Sequence, residues 1–138
     1  MASAAVTPRV RTMAICDRVR ESRTEAGVFD LKGVRQELFA DAFPFVPPRL
    51  WLFLVLSSPR AGDHVCYIRV VHGQTDKAIC YAYARPRPRF SEAGGVAICR
   101  AAIRCAFPEA GWYTVQVWFF QQDGNDVLKG EVAFRVGA

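Results

Sequence analysis

From Gly111 to Val136 the chain alternates side chains with a period of two, interrupted by the polar segment Gln122-Asp123-Gly124-Asn125-Asp126. A strand points successive side chains to opposite faces, so this period specifies a pair of half-buried strands. An Asp-Gly step between two such runs is a strong hairpin signal. Tyr113, Val115, Val117 and Phe119 take one face of the first strand, with Leu128, Val132, Phe134 and Val136 matched to them on the second. Lys129, Glu131 and Arg135 point the other way. An isolated hairpin is marginal in water, and one this apolar needs a second layer to cover it.

The rest of the chain supplies that layer with strands rather than helices. Turn residues recur every eight to twelve positions, the spacing of a sandwich or barrel. Strands are expected at about Val10 to Val19 and Val28 to Phe39, joined by a turn at Glu25-Ala26-Gly27. Ala40 to Pro48 holds Pro44, Pro47 and Pro48, each lacking a ladder donor, and reads as a loop. Arg49 to Ser57 is apolar at every position from 50 to 56, so it should be a central strand covered on both faces. His64 to His72 and Lys77 to Ala84 follow as strands, with turns at 58–63 and 73–76. Val96 to Cys105 reads as either a strand or one short helix. The expected fold is an all-β antiparallel sandwich, immunoglobulin-like, with about seven to nine strands. Residues 1–9 are expected to form a flexible leader and residues 10–138 one domain.

Composition narrows the function classes. The 138 residues are 51% hydrophobic and 22% charged, which excludes a disordered chain and suits one domain. No stretch of 18 apolar residues occurs, so no membrane helix is expected. The net charge of +5 comes from 15 Arg and 3 Lys against 13 acids, a balance that permits an acidic partner without requiring one. The five cysteines, at 16, 66, 80, 99 and 105, include no C-x-x-C pair, so free structural thiols are expected rather than metal ligands. Unpaired thiols and no signal-peptide segment point to a reducing cytoplasm. No cofactor or metal is expected.

Reactive groups do not converge. His64 and His72 sit at opposite ends of one expected strand and cannot share a site; both are expected to be solvated near turns. Asp17 falls inside a strand, where a carboxylate either faces solvent or pairs with an arginine. No glycine-rich phosphate loop or G-x-S-x-G motif is present. We therefore expect no catalytic residues. Two stretches point instead to binding. In Arg85-Pro86-Arg87-Pro88-Arg89 alternate prolines hold an extended backbone, so Arg85, Arg87 and Arg89 could meet phosphate or carboxylate, or remain a solvated loop. Trp112, Gln116, Trp118 and Phe120 fall on the nominally outer face of the hairpin. They form either an interface for a protein partner or second copy, or a face covered by the 85–95 loop or N-terminal arm. Exposed tryptophan also suits stacked carbohydrate. Nucleic acid is the alternative partner.

Four blocks carry a family resemblance: Ile15-Cys16-Asp17-Arg18-Val19, Gly27-Val28-Phe29-Asp30, Phe43-Pro44-Phe45 running into Pro48-Arg49-Leu50, and Phe107-Pro108-Glu109-Ala110-Gly111-Trp112-Tyr113. In this order they resemble an uncharacterised bacterial family of immunoglobulin-like β-sandwich proteins, catalogued as a domain of unknown function. The resemblance implies a cytoplasmic, non-enzymatic sandwich. It extends neither to the Arg-Pro stretch at 85–89 nor to the overall cysteine content, where this chain departs from the family pattern. Gly111-x-Tyr113 also resembles the tyrosine corner of immunoglobulin-type sandwiches, in which a tyrosine hydroxyl ties back to nearby backbone.

Overall fold

The computed structural model describes residues 6–138, which fold into strands without a helix. Residues 1–5 of the expected leader lie outside the described residues; Pro8 is already buried and β1 begins at Arg9. The strands are β1 (Arg9–Glu21), β2 (Phe29–Val34), β3 (Glu37–Phe39), β4 (Trp51–Ser57), β5 (Gly62–Asp63), β6 (Cys66–His72), β7 (Ala78–Tyr83), β8 (Arg89–Phe90), β9 (Val96–Ala102), β10 (Gly111–Phe119) and β11 (Val127–Gly137). Sheet A has the order β2-β1-β4-β9 and sheet B the order β3-β11-β10-β6-β7. A short β5-β8 ladder caps one end. All pairings are antiparallel except β3 with β11. The eleven strands exceed the expected seven to nine because short ladders are added and the second expected strand is divided.

The division falls after Gly33: Val34 still pairs with Cys16, the Arg35 amide donates to the Ile15 carbonyl, and the chain leaves sheet A at Gln36, whose carbonyl accepts from the Arg135 amide of β11. Within β2, Gly33 has φ +66°, in the left-handed region that glycine adopts without strain, and a Cβ there would press on the Asp17 carboxylate. Val28 to Phe39 therefore serves both sheets: β2 pairs with β1, while β3 pairs with β11. Val96 to Ala102 is the edge strand β9, which settles the choice between strand and helix.

The core lies between the sheets. Leu52, Leu54 and Leu56 of β4 are fully inaccessible and meet Ile68 and Val70 of β6 and Val115, Val117 and Phe119 of β10 in one cluster. Each such side chain contributes roughly 1.5–3 kcal/mol through removal from water. As its sequence requires, β4 is central between β1 and β9, and its opposite face carries Phe53, which packs with Cys16, Phe29 and Ile98 in a second cluster. At the start of β10, Tyr113, Phe107 and Phe134 pack ring against ring, and Tyr113 Oη donates to the Glu109 carbonyl at 2.6 Å. That is the tyrosine-corner geometry.

Two expectations need correction. Leu128 does not face the core. A bulge at Val117/Trp118 pairs Trp118 with Leu128, and the shifted register turns Leu128 to the outer face, where it is exposed. The cysteines are not all free thiols: Cys80 and Cys105 form a disulfide, with Cα atoms 5.6 Å apart. Cys80 lies on β7, an edge of sheet B, and Cys105 follows β9, an edge of sheet A, so the bond staples the two layers. Cys16, Cys66 and Cys99 are free and buried.

Tyr113→Phe should lower the unfolding free energy by about 1–2 kcal/mol, because it leaves the Glu109 carbonyl without its donor. Urea denaturation should show a lower midpoint at unchanged slope; an unchanged midpoint would remove the corner from the account. Cys80→Ala with Cys105→Ala opens a link across 25 residues and should cost about 3.5 kcal/mol by the loop-entropy relation. Reductant should destabilise the wild type and leave that variant's melting unchanged.

Candidate functional site

The outer face of sheet B is built from side chains that alternate with the core residues of β10, β6 and β7. Ladder pairing sets Tyr83, Tyr67, Trp118 and Leu128 in one row across four strands. The neighbouring row is Tyr81, Arg69, Gln116 and Glu131. Trp112 and Arg135 pair further along the face. Tyr81 is 64% exposed, Tyr83 62%, Trp112 58% and Phe120 51%. Neither the 85–95 loop nor the N-terminal strand covers these four rings.

A polar ladder holds the centre of this face. Trp118 Nε1 donates to Gln116 Oε1 at 3.0 Å, and Gln116 Nε2 donates to Glu131 Oε1 at 3.0 Å. These bonds account for the burial of Gln116. Tyr67 Oη donates to Asp126 Oδ2 at 2.6 Å, while the Gln121 amide donates to the other carboxylate oxygen. Burial, then the hydrogen bond to Asp126, raises the Tyr67 pKa; the same bond lowers that of Asp126. The expected interface residues thus share one face, with Gln116 as an internal strut and Trp112 and Phe120 as open surface. Sequence alternation could not place Tyr67, Tyr81, Tyr83 and Leu128 beside them, because cross-strand register and the bulge decide that adjacency.

The Arg-Pro segment crosses the end of the sandwich beside the β5-β8 cap. Arg89 Nε donates to Asp63 Oδ1 at 2.9 Å, and Arg87 Nε reaches the His64 carbonyl at 3.4 Å. Arg85 is tied by its backbone to Arg100. Arg89 is therefore half of an exposed ion pair, and all three arginines are open to solvent. His64 anchors the segment: its amide donates to the Pro88 carbonyl, and its ring packs edge-on against Phe90 and Phe119. His72 is also half-buried, with Nε2 2.8 Å from Glu109 Oε1. Both histidines were expected in solvent; aromatic neighbours at the strand ends enclose them.

Among the described residues, no three His, Cys, Asp or Glu side chains gather to hold a metal ion. Burial pushes the Cys99 thiol up to about 12 and raises Cys66 and Cys16 as well, so these sulfurs are held as thiols and not as nucleophilic thiolates. Asp17 accepts a bidentate pair from Arg35, at 2.5 and 2.7 Å.

No family model matches the chain, and no curated protein does. Among solved structures, 95% of the chain is similar to part of the Pseudomonas fluorescens alkylpurine DNA glycosylase AlkC bound to DNA containing an abasic-site analogue, with a TM-score of 0.58 and 13% identity. The chain spans 30% of that protein. CopC from Methylosinus trichosporium OB3b aligns with 75% of the chain and 83% of its own, at 17% identity and a TM-score of 0.37. The glycosylase likeness shows a shared fold.

Burial lowers the His64 pKa, with Asp63 opposing in part. Above about pH 6.5 the imidazole is neutral in both folded and unfolded chains. Below that, the unfolded chain binds the proton first, so this stabilising contribution is lost as the pH falls through the folded pKa. His64→Gln should flatten the decline of stability as the pH falls below about 6.5, read from urea midpoints. A wild-type slope retained in the variant would contradict the half-buried neutral state.

Proposed function

We propose that the protein is a non-catalytic interaction module that self-associates through the outer face of sheet B. The carrying observation is the set of four half-open rings, Tyr81, Tyr83, Trp112 and Phe120, on one uncovered sheet face. Aromatic side chains dominate interface energetics, and contiguous exposed patches of this kind mark partner sites. Charge favours a second copy as the occupant. Arg69 and Arg135 share the face with Glu131, and Asp126 joins it through Tyr67, so a two-fold related copy can set each sign against the other. The glycosylase likeness supports the modular reading, since there the same fold is less than a third of a longer chain.

Nucleic-acid binding through Arg85, Arg87 and Arg89 is the weaker reading, because Asp63 neutralises Arg89. Carbohydrate stacking on the same rings would leave the chain monomeric. No membrane contact is proposed; among the described residues no helix is long and apolar enough to cross one. Cytoplasmic residence, proposed from unpaired cysteines, loses that support to the Cys80–Cys105 bond, which favours an oxidising compartment.

Light scattering across a wide concentration range should show a wild-type dimer. Tyr83→Ser with Trp112→Ser should weaken association at least about 30-fold, with melting of the monomer unchanged. A wild type that is monomeric throughout, or a variant that associates equally well, would overturn the proposal.

A further inference from the structure

Away from that face, two adjoining clefts of about 340 and 530 Å³ flank the Pro47-Pro48-Arg49 segment and share Asp17, Arg18, Pro47, Pro48 and Arg49. Their walls come from four separate parts of the chain and carry six cations: Arg18, Lys32, Arg35, Arg49, Arg100 and Arg104. The carboxylate among the lining residues is Asp17, and Arg35 engages both its oxygens. Arg100 donates to the Val19 carbonyl at 2.9 Å and lies over the Trp51 ring at 5.0 Å. Arg18, Lys32, Arg49 and Arg104 are exposed and make no ion pair among the described residues. Four cations thus border one channel with their charge uncompensated.

Each cleft has an aromatic side chain in its wall. Trp51 lines one. Phe39, on the edge strand β3, lines the other and is 69% exposed. A positive groove bordered by stacking rings fits a flexible chain of phosphates bearing flat bases, because guanidinium groups track the backbone and a ring receives a base face. We propose that this groove binds a single-stranded nucleic acid, with Arg18, Lys32, Arg49 and Arg104 on its phosphates and Phe39 under a base. The four cations lie outside the outer face of sheet B and outside the Arg-Pro segment, while Phe39 stands on β3 at the edge of sheet B, so the charge-reversed variants separate this site from that face.

The test is fluorescence anisotropy of a labelled single-stranded oligonucleotide of about twenty residues titrated with the full chain. With about four phosphates neutralised, a fourfold rise in salt should weaken binding about 50-fold. Arg18→Glu with Arg104→Glu should weaken binding more than tenfold and reduce that salt dependence. Arg60→Glu with Lys77→Glu makes the same change in net charge away from the groove and should leave affinity within about threefold. Phe39→Ser should weaken the oligonucleotide and leave inorganic polyphosphate unaffected. All the altered side chains are exposed, and thermal melting would confirm that each variant is folded. Absence of binding at low salt would overturn the proposal, as would equal loss in the two charge-reversed variants. Tighter binding of a duplex of equal length would overturn the single-strand assignment, and equal loss of polyphosphate on Phe39→Ser would overturn the stacking role.

Discussion

Leu52, Leu54 and Leu56 leave water completely only when a second sheet lies across them, and that requirement organises the molecule. A seven-residue strand that is apolar on both faces cannot sit at an edge or face solvent. It must have neighbours on both sides, which β1 and β9 provide, a layer in front, which sheet B provides, and cover behind. The cover behind is thin, a small cluster around Phe53 and Cys16 finished by Phe29 and Ile98. The fold therefore spends its large aromatic side chains in two places: Phe107, Tyr113, Phe119 and Phe134 in the core, and a second set left on the open side of sheet B.

Much of the architecture was legible because it is local. The period of two in β10, the Asp-Gly turn and the uninterrupted apolar run of β4 each act on a strand and its immediate neighbour. Tyr113 could be placed at a corner because Gly111 and the strand start lie beside it in the chain. Long-range geometry was not legible. An apparently continuous strand divides after Arg35 because β11, distant in sequence, offers Glu37–Phe39 a second ladder. One bulge moves Leu128 from core to surface. Cys80 and Cys105 meet because β7 and β9 are edges of different sheets on the same side of the sandwich.

The two surfaces illustrate the same difference. Half of the aromatic face was visible in Trp112, Trp118 and Phe120, which share one strand and its immediate extension; Tyr67, Tyr81 and Tyr83 join through cross-strand register. None of the basic channel was visible, because Arg18, Lys32, Arg49 and Arg104 come from segments with no common period. The Arg-Pro stretch drew attention through its sequence pattern, yet folding places Asp63 against one of its arginines. Where charges are close in sequence, a partner can neutralise them; where they are distant, the topology can concentrate them. One layer thus presents rings and the other end of the fold presents cations, on a scaffold held by a disulfide at its edge.

Hydrogen exchange resolved to single amides tests this account most directly. If burial of β4 beneath sheet B organises the fold, the amides of Leu52–Leu56 and of Val115–Phe119 should exchange last, at the free energy of global unfolding, with the edge strands β2 and β7 exchanging earlier. Protection of β2 equal to that of β4, or exchange of β4 before global unfolding, would contradict it.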